Sequence, residues 1–149
     1  MIVYPLEDYY ENGSSLVSKI WERSGLTPKD VDVAELYDGF SPSAMYWIEA
    51  AGFCKRGEGF EFIQNGRIEL EGELPVNTHG GSISEGGMHG RGHIVEAVRQ
   101  VTGRAGLRQV KDAKVALITE GSPMQKGSGL LFTSERLRPS PPLNARRAA

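Results

Sequence analysis

The stretch 75–92, PVNTHGGSISEGGMHGRG, limits the fold more than any other part of this chain. It holds six glycines (80, 81, 86, 87, 90 and 92), and the chain's three histidines, His79, His89 and His93, lie in it or directly after it. Glycine at this density removes Cβ atoms, so the backbone can take positive φ and approach a ligand or another segment closely. A flexible linker is also glycine-rich, but linkers rarely carry Val76, Asn77, Ile83, Met88 and two histidines among the glycines. An amphipathic helix follows, with Ile94, Val95, Ala97, Val98 and Val101 at i, i+1, i+3, i+4 and i+7. A glycine-rich loop feeding a helix start presents free N–H groups and the positive end of the helix dipole, which suits an anion or oxyanion. The loop reads as a ligand-binding or active-site loop.

The rest of the chain supplies a core for such a loop. With 149 residues and 39% apolar content, one ordinary globular domain is expected. A net charge of −2, from 17 basic and 19 acidic residues, gives no electrostatic case for nucleic acid or an anionic membrane. No apolar run approaches membrane-spanning length, and the N-terminus lacks the regions of a signal peptide. The single cysteine, Cys54, excludes an intramolecular disulfide and fits a reducing cytoplasm, so a soluble cytoplasmic chain is expected.

Residues 1–12 read as an irregular, tyrosine-rich segment, and Gly13 with Ser14 or Ser15 as the start of a helix to about Arg23. Thr27 and Pro28 open one short turn. Residues 31–37 alternate around Val31 and Val33 as a strand, and Ser41-Pro42 opens a helix over 41–51. Residues 55–72 suggest short hairpin-like strands around the Asn65-Gly66 turn signal. Two apolar runs, 115–118 and 129–133, fit a pair of buried strands. The domain is drawn at 1–135, and the Pro/Arg-rich 136–149 is expected to be a disordered tail. The order of elements is α/β, a sheet of parallel and antiparallel strands covered by helices.

Several of these pieces together resemble one family. They are VDVAELYDGFS, the helix ending in GFC with RGEGF after it, LPVNTHGGSISEGGMHG, EAVRQVTGRAG, and the strand pair VALITEG and GLLFT. Their order and spacing over about 14–134 resemble the C-terminal half of the thiolase superfamily, in its sterol-carrier or lipid-transfer branch. The resemblance implies half of a thiolase-like fold, with a βαβαββ-type mixed sheet, usually in a dimer whose active site lies between two similar halves. In thiolases the N-terminal half supplies a nucleophilic cysteine. The C-terminal half supplies an Asn or His in an Asn-Glu-Ala-Phe-like motif, a His in Gly-His-Pro and a Cys in Cys-x-Gly. Here Tyr37 stands in the first motif, Gly87 at the histidine and Thr119 at the cysteine, and the N-terminal half is absent.

By this resemblance thiolysis and Claisen condensation are disfavoured, whereas retro-aldol cleavage of a β-hydroxyacyl-CoA, known among lipid-transfer relatives, stays open. That reaction needs a base for the β-hydroxyl proton and donors for the enolate oxygen. Tyr37 and His89 are the catalytic candidates. Asn77, His79, Gly80, Gly81, Gly86 and Gly87 form the candidate oxyanion and substrate loop. A free tyrosine titrates near pH ~10, so a tyrosine base needs a shifted environment. The bland alternatives are a core Tyr37 with a bonded hydroxyl, and Asn77 and His79 as loop-stabilising hydrogen bonders. Asp38 reads as a cap for the following helix, Glu85 as a first-turn residue, and His89 and His93 as helix-start residues rather than metal ligands. Cys54 reads as a packing residue, although neighbouring Lys55 and Arg56 could lower its pKa.

The implied substrate is an acyl-CoA, with coenzyme A part of the substrate and no covalent cofactor or metal. The alternatives are a thiolase-type acyltransferase fragment and a non-catalytic half-domain that stabilises a partner. The missing half leaves one face of the helix after the glycine loop wet, so oligomerisation or a partner chain is expected. Candidates are a second copy, a thiolase-like N-terminal half, or an OB/zinc-ribbon acyl-CoA-binding protein. The remaining alternative is a piece of a longer reading frame.

Overall fold

The computed structural model describes residues 6–122 and 127–135, with side chains from residue 10 onward. The expectations for residues 1–5 and for the 136–149 tail lie outside the described residues. The sheet is built on β1 (Val33–Leu36), all four residues of which are buried. It pairs in parallel with β2 (Val115–Glu120), Val33 opposite Ala116 and Leu36 opposite Thr119. β2 pairs antiparallel with β3 (Ser128–Thr133), Val115 opposite Thr133. A parallel pair buried on both faces reads as a nearly continuous apolar run, which is why VDVAEL and VALIT carry the strand signal.

Side-chain alternation sends the two faces to different cores. Ala34, Leu36 and Leu117 join Val17, Trp47 and Ile48 from α1 (Leu6–Ser24) and α2 (Ser41–Ala51). Val33, Ala116 and Ile118 join Ala97 and Val101 from α5 (Arg91–Val101). The sheet therefore lies between α1 and α2 on one side and α5 on the other. Two one-turn helices, α3 (Gly59–Phe62) and α4 (Gly81–Ser84), sit in the connections. Pro42 in the first turn of α2 and Gly52 in the left-handed region at its end bound that helix as its sequence implies. Among the described residues no helix is long and apolar enough to cross a membrane.

The mixed α/β class stands, with three local corrections. The first helix starts at Leu6 and not near residue 13, and Gly13 is a buried interior position of it. The Tyr10 ring, read as part of an irregular segment, is covered by the Arg56 guanidinium at 4.9 Å. Residues 55–72 form α3 and turns, not a hairpin. Asn65 and Gly66 do take positive φ (58° and 74°), but no strand flanks them. The third is in the second βα unit, where the strand is reduced to a single parallel bridge between Ala34 and Val76.

The apolar stripe of α5 divides. Ala97 and Val101 are buried, whereas Val95 is 49% and Val98 40% exposed. With Ile94, Arg99, Thr102 and Arg104 they line an open groove on the outside of the helix, the wet face expected of an isolated half.

Candidate active site

The carboxyl ends of the parallel strands β1 and β2 lie side by side, and residues 75–92 close over them. Crevices at such strand ends are where open α/β sheets bind ligands. The Tyr37 N–H donates to the Thr119 carbonyl at 3.1 Å, tying the ends of the two strands together. Asn77 holds the loop to β1. Its Oδ1 accepts from the Leu36 N–H at 2.7 Å, and its Nδ2 donates to the Leu36 carbonyl at 2.8 Å. The amide of Asn77 thus continues the backbone ladder where the strand ends, a positioning role.

Asp38 caps a helix, but not the one that follows it. Its Oδ1 accepts from the Ser82 N–H at 2.7 Å, so it caps α4, far along the chain. A Cβ on Gly81 would collide with this carboxylate, and Gly81 itself takes φ 67°. Only glycine satisfies both demands at that position.

Beneath the loop lies a buried polar cluster on the α5 side of the sheet. Glu35 on β1 is 0% exposed, and on α5 His93 and Glu96 are each 1% exposed, with Gln100 also buried. Buried charges of this kind persist only when paired. Glu96 is gripped by Arg108, whose Nε and Nη2 donate to its two oxygens at 3.2 and 3.0 Å. The Thr78 hydroxyl lies 2.9 Å from Glu35 Oε1 and 3.0 Å from Glu96 Oε1, and the Thr78 N–H donates to Glu35. Gln100 donates to Thr78 Oγ1 at 2.9 Å. Burial alone pushes the Glu96 carboxyl upward, but its bonds from Arg108, Thr78 and Gln100 outweigh that and hold it below the usual range.

Two histidines complete the cluster. His79 Nδ1 is 2.9 Å from Glu35 Oε2, and His79 Nε2 is 3.4 Å from Glu85 Oε2. Glu35 is the first of the neighbours that favour the charged His79 ring. His93 Nε2 is 3.2 Å from Asp38 Oδ1, and its ring meets His79 edge-on with centroids 4.9 Å apart. The Tyr37 ring centroid is 6.3 Å from that of His93. Burial works against the charged form at both rings, yet with opposite outcomes. Glu35, Glu85 and Glu96 overcome it at His79 and raise its pKa. At His93, burial and the neighbouring His79 outweigh Glu35 and Asp38 and lower it. The surroundings thus favour the charged ring at His79 and the neutral ring at His93.

The structure brings Tyr37, Asn77, His79, Gly80 and Gly81 together at the strand ends. Tyr37 is half-buried, its ring lying against the backbone at Gly39. Gly86, Gly87 and His89 lie on the exposed outer part of the loop, with open space beside both glycines. His89 shares none of the buried cluster's contacts. His93 is not a helix-start residue bonded to backbone but a buried partner of Asp38, so His89 and His93 do not face one ion. Glu85 ends α4 and pairs with His79 rather than opening a helix. Glu35 and His93 were missed as site residues. The signal for Glu35 was a carboxylate at an inward position of a strand whose other residues are apolar.

Cys54 has no acid–base or nucleophilic place here. Burial, followed by Glu49 and Glu58, pushes its thiol up to about 11, overcoming the opposing charge of Arg67. From an ordinary value of 9.0, that lowers the thiolate fraction at neutral pH by about 100-fold. Alkylation of Cys54 by iodoacetamide at pH 7.5 is expected to be slower than that of a free thiol by this order, and an equal rate would contradict the burial.

Comparison with known proteins gives this geometry a context. Residues 14–133 match the family model described as thiolase C-terminal domain-like. The chain is similar to 17-hydroxy-3-oxo-4-pregnene-20-carboxyl-CoA lyase of Mycobacterium tuberculosis, 43% identical over 76% of this chain and 29% of that protein. It is similar to human sterol carrier protein 2, 40% identical over 72% of this chain and 20% of that protein. Among solved structures, an Ltp2-ChsH2(DUF35) aldolase superposes with a TM-score of 0.78 at 38% identity, over 85% of this chain and 33% of that one. The chain spans less than a third of the length of the curated relatives named here.

Proposed function

Because the chain belongs to the thiolase C-terminal domain-like family, we propose that it is the C-terminal half of an assembly that cleaves a carbon–carbon bond of a β-hydroxyacyl-CoA by retro-aldol chemistry. The observation that carries this reading is Tyr37 at the carboxyl end of β1, backed by the buried Asp38–His93 pair, where a thiolase would hold an Asn or His. The other thiolase positions are equally unsuited to acyl transfer. Thr119 is fully buried in the place of the acid/base cysteine, and Gly87 lacks a side chain.

In the proposed reaction Tyr37, as the phenolate, takes the β-hydroxyl proton as the Cα–Cβ bond breaks. The hydroxyl carbon becomes a ketone or aldehyde, and the bonding pair passes to Cα as the thioester enolate. The Gly86 and Gly87 N–H groups and the His89 side chain, all on the exposed arm of the loop, hold the enolate oxygen. The proton held by Tyr37 then passes to Cα, directly or through water, which releases the shortened acyl-CoA and restores the base. Asn77, Gly80 and Gly81 act by positioning that arm over the strand ends. Coenzyme A enters as part of the substrate, and the name of the lyase relative supports a CoA thioester.

The partner covers the outer face of α5. Exposure of Val95 and Val98 supports a second α/β half there, and a thiolase-like N-terminal half is the occupant that the family suggests. The solved neighbour, an Ltp2-ChsH2(DUF35) aldolase, supports a further chain. The test is mass-spectrometric detection of products from a β-hydroxyacyl-CoA incubated with the purified assembly. Stoichiometric shortened acyl-CoA and carbonyl product are expected. Substrate returned intact, or hydrolysed only at the thioester, would overturn the retro-aldol reading and leave a structural half-domain.

A further inference from the structure

The Glu85–His79–Glu35 contacts cross from the glycine loop to the sheet and have no direct part in the chemistry above. An imidazole with a carboxylate at each ring nitrogen satisfies both only when both nitrogens carry protons. Gly92 on α5 supplies an independent observation. A Cβ there would stand 2.6 Å from Glu85 Oε2 and 3.1 Å from His79 Nε2. Gly92 takes no positive φ, so its backbone does not require glycine. It is an opening in the helix surface, and the Glu85 carboxylate meets His79 through it.

We propose that His79, gripped by Glu35 on one ring nitrogen and by Glu85 on the other, is a positioning residue that latches the 85–90 arm of the loop onto the sheet. The inference rests on the functional reading above only for its consequence, since the latched arm is the one that carries Gly86, Gly87 and His89. Glu35 is fixed at the sheet end by Thr78, and Glu85 stands at the end of α4, where the arm departs. Every titratable or charged group facing His79 acts on the same proton. These are Glu35 from β1, Glu85 from the loop, and His93 and Glu96 from α5, with Arg108 behind Glu96.

The sign follows from the raised His79 value. A group whose pKa rises on folding stabilises the fold fully below its unfolded value, and that stabilisation is lost as pH climbs through the folded value. The latch is closed below the ordinary histidine value and opens as pH climbs through the raised one. His93 sets the opposite limit. Its lowered value favours the neutral ring, so acidification through its titration range works against the fold.

Site-resolved amide exchange in the purified chain, with its partner where one is retained, tests the latch without substrate. The reporters are the hydrogen-bonded amides of Glu85, Met88 and Arg91. Glu85→Gln is expected to speed their exchange at pH 6 by about threefold to tenfold after correction for intrinsic rates, with no such effect at pH 9. Histidine NMR should show the His79 midpoint falling in the same variant. Gly92→Ala supplies a second arm. Alanine is ordinarily the better helix former, but at Gly92, in the first turn of α5, it is expected to speed loop exchange as Glu85→Gln does. Unchanged exchange in both variants, or an effect equal at pH 6 and pH 9, would overturn the latch. Neither readout depends on turnover, so failure of the latch and failure of the retro-aldol reading are separately visible.

Discussion

Tyr37→Phe is expected to lower retro-aldol turnover of the assembled enzyme by about 10²- to 10⁴-fold, the range for loss of a positioned general base. The effect belongs in kcat, with KM little changed, because the hydroxyl acts on the proton in flight rather than on the bound thioester. The phenol is half-buried, and phenylalanine preserves the ring that faces His93 and lies against Gly39. Denaturant unfolding should therefore shift by no more than about 0.5 kcal/mol, the scale of substitutions that leave packing intact. Full activity in Tyr37→Phe would remove the tyrosine from the chemistry and return it to the role of a core residue.

The second large effect is structural. Gly81→Ala forces a side chain into the left-handed region, at about 1–2 kcal/mol, and drives a methyl into the Asp38 carboxylate. The Ser82–Asp38 bond then breaks or stretches, adding about 1.5–3 kcal/mol for a hydrogen bond to a charged group. A loss of about 2.5–5 kcal/mol in chemical denaturation is expected from these two terms. Gly87→Ala is the stability control. A Cβ there meets nothing within 4 Å, and its backbone is not in the positive-φ region, so its unfolding free energy should change by about 0.5 kcal/mol or less. Equal destabilisation by the two alanines would mean that the loop needs glycine for general flexibility rather than for close approach to Asp38.

The contrast between these glycines marks what the amino-acid sequence makes legible. Periodicity and turn chemistry are local, so β1, β2, β3, α2 and α5 are readable from Val33, Pro42, Ala97 and Ile118 and their neighbours. The loop itself is announced by its glycines. Local signals fail where a helix crosses a glycine, as at Gly13. They also fail where a turn dipeptide such as Asn65-Gly66 stands without strands to join. The polar cluster is harder still to read. Asp38 caps Ser82 and Glu35 holds Thr78 across more than forty residues, and no repeat in the chain encodes such pairs. His93 shows the difficulty most clearly. On the helix surface implied by spacing, it is one polar residue before an apolar stripe. In the fold that stripe is split, with His93, Glu96 and Gln100 turned inward and Val95 and Val98 left outside. In the proposed assembly the outer face of α5 is covered by a second chain, so its spacing answers to two surroundings, only one of which lies in this chain.

The central claim is that this chain works as one half of an acyl-CoA carbon–carbon lyase. The most direct measurement is affinity capture of the tagged chain from lysate of the organism that makes it. The intact complex is then analysed by native mass spectrometry and assayed with a β-hydroxyacyl-CoA. The account predicts a defined complex containing a thiolase-like N-terminal half, forming shortened acyl-CoA and a carbonyl product in equal amounts, with both products lost in Tyr37→Phe. A monodisperse chain recovered alone, stable with Val95 and Val98 in water and inactive toward every β-hydroxyacyl-CoA offered, would contradict it.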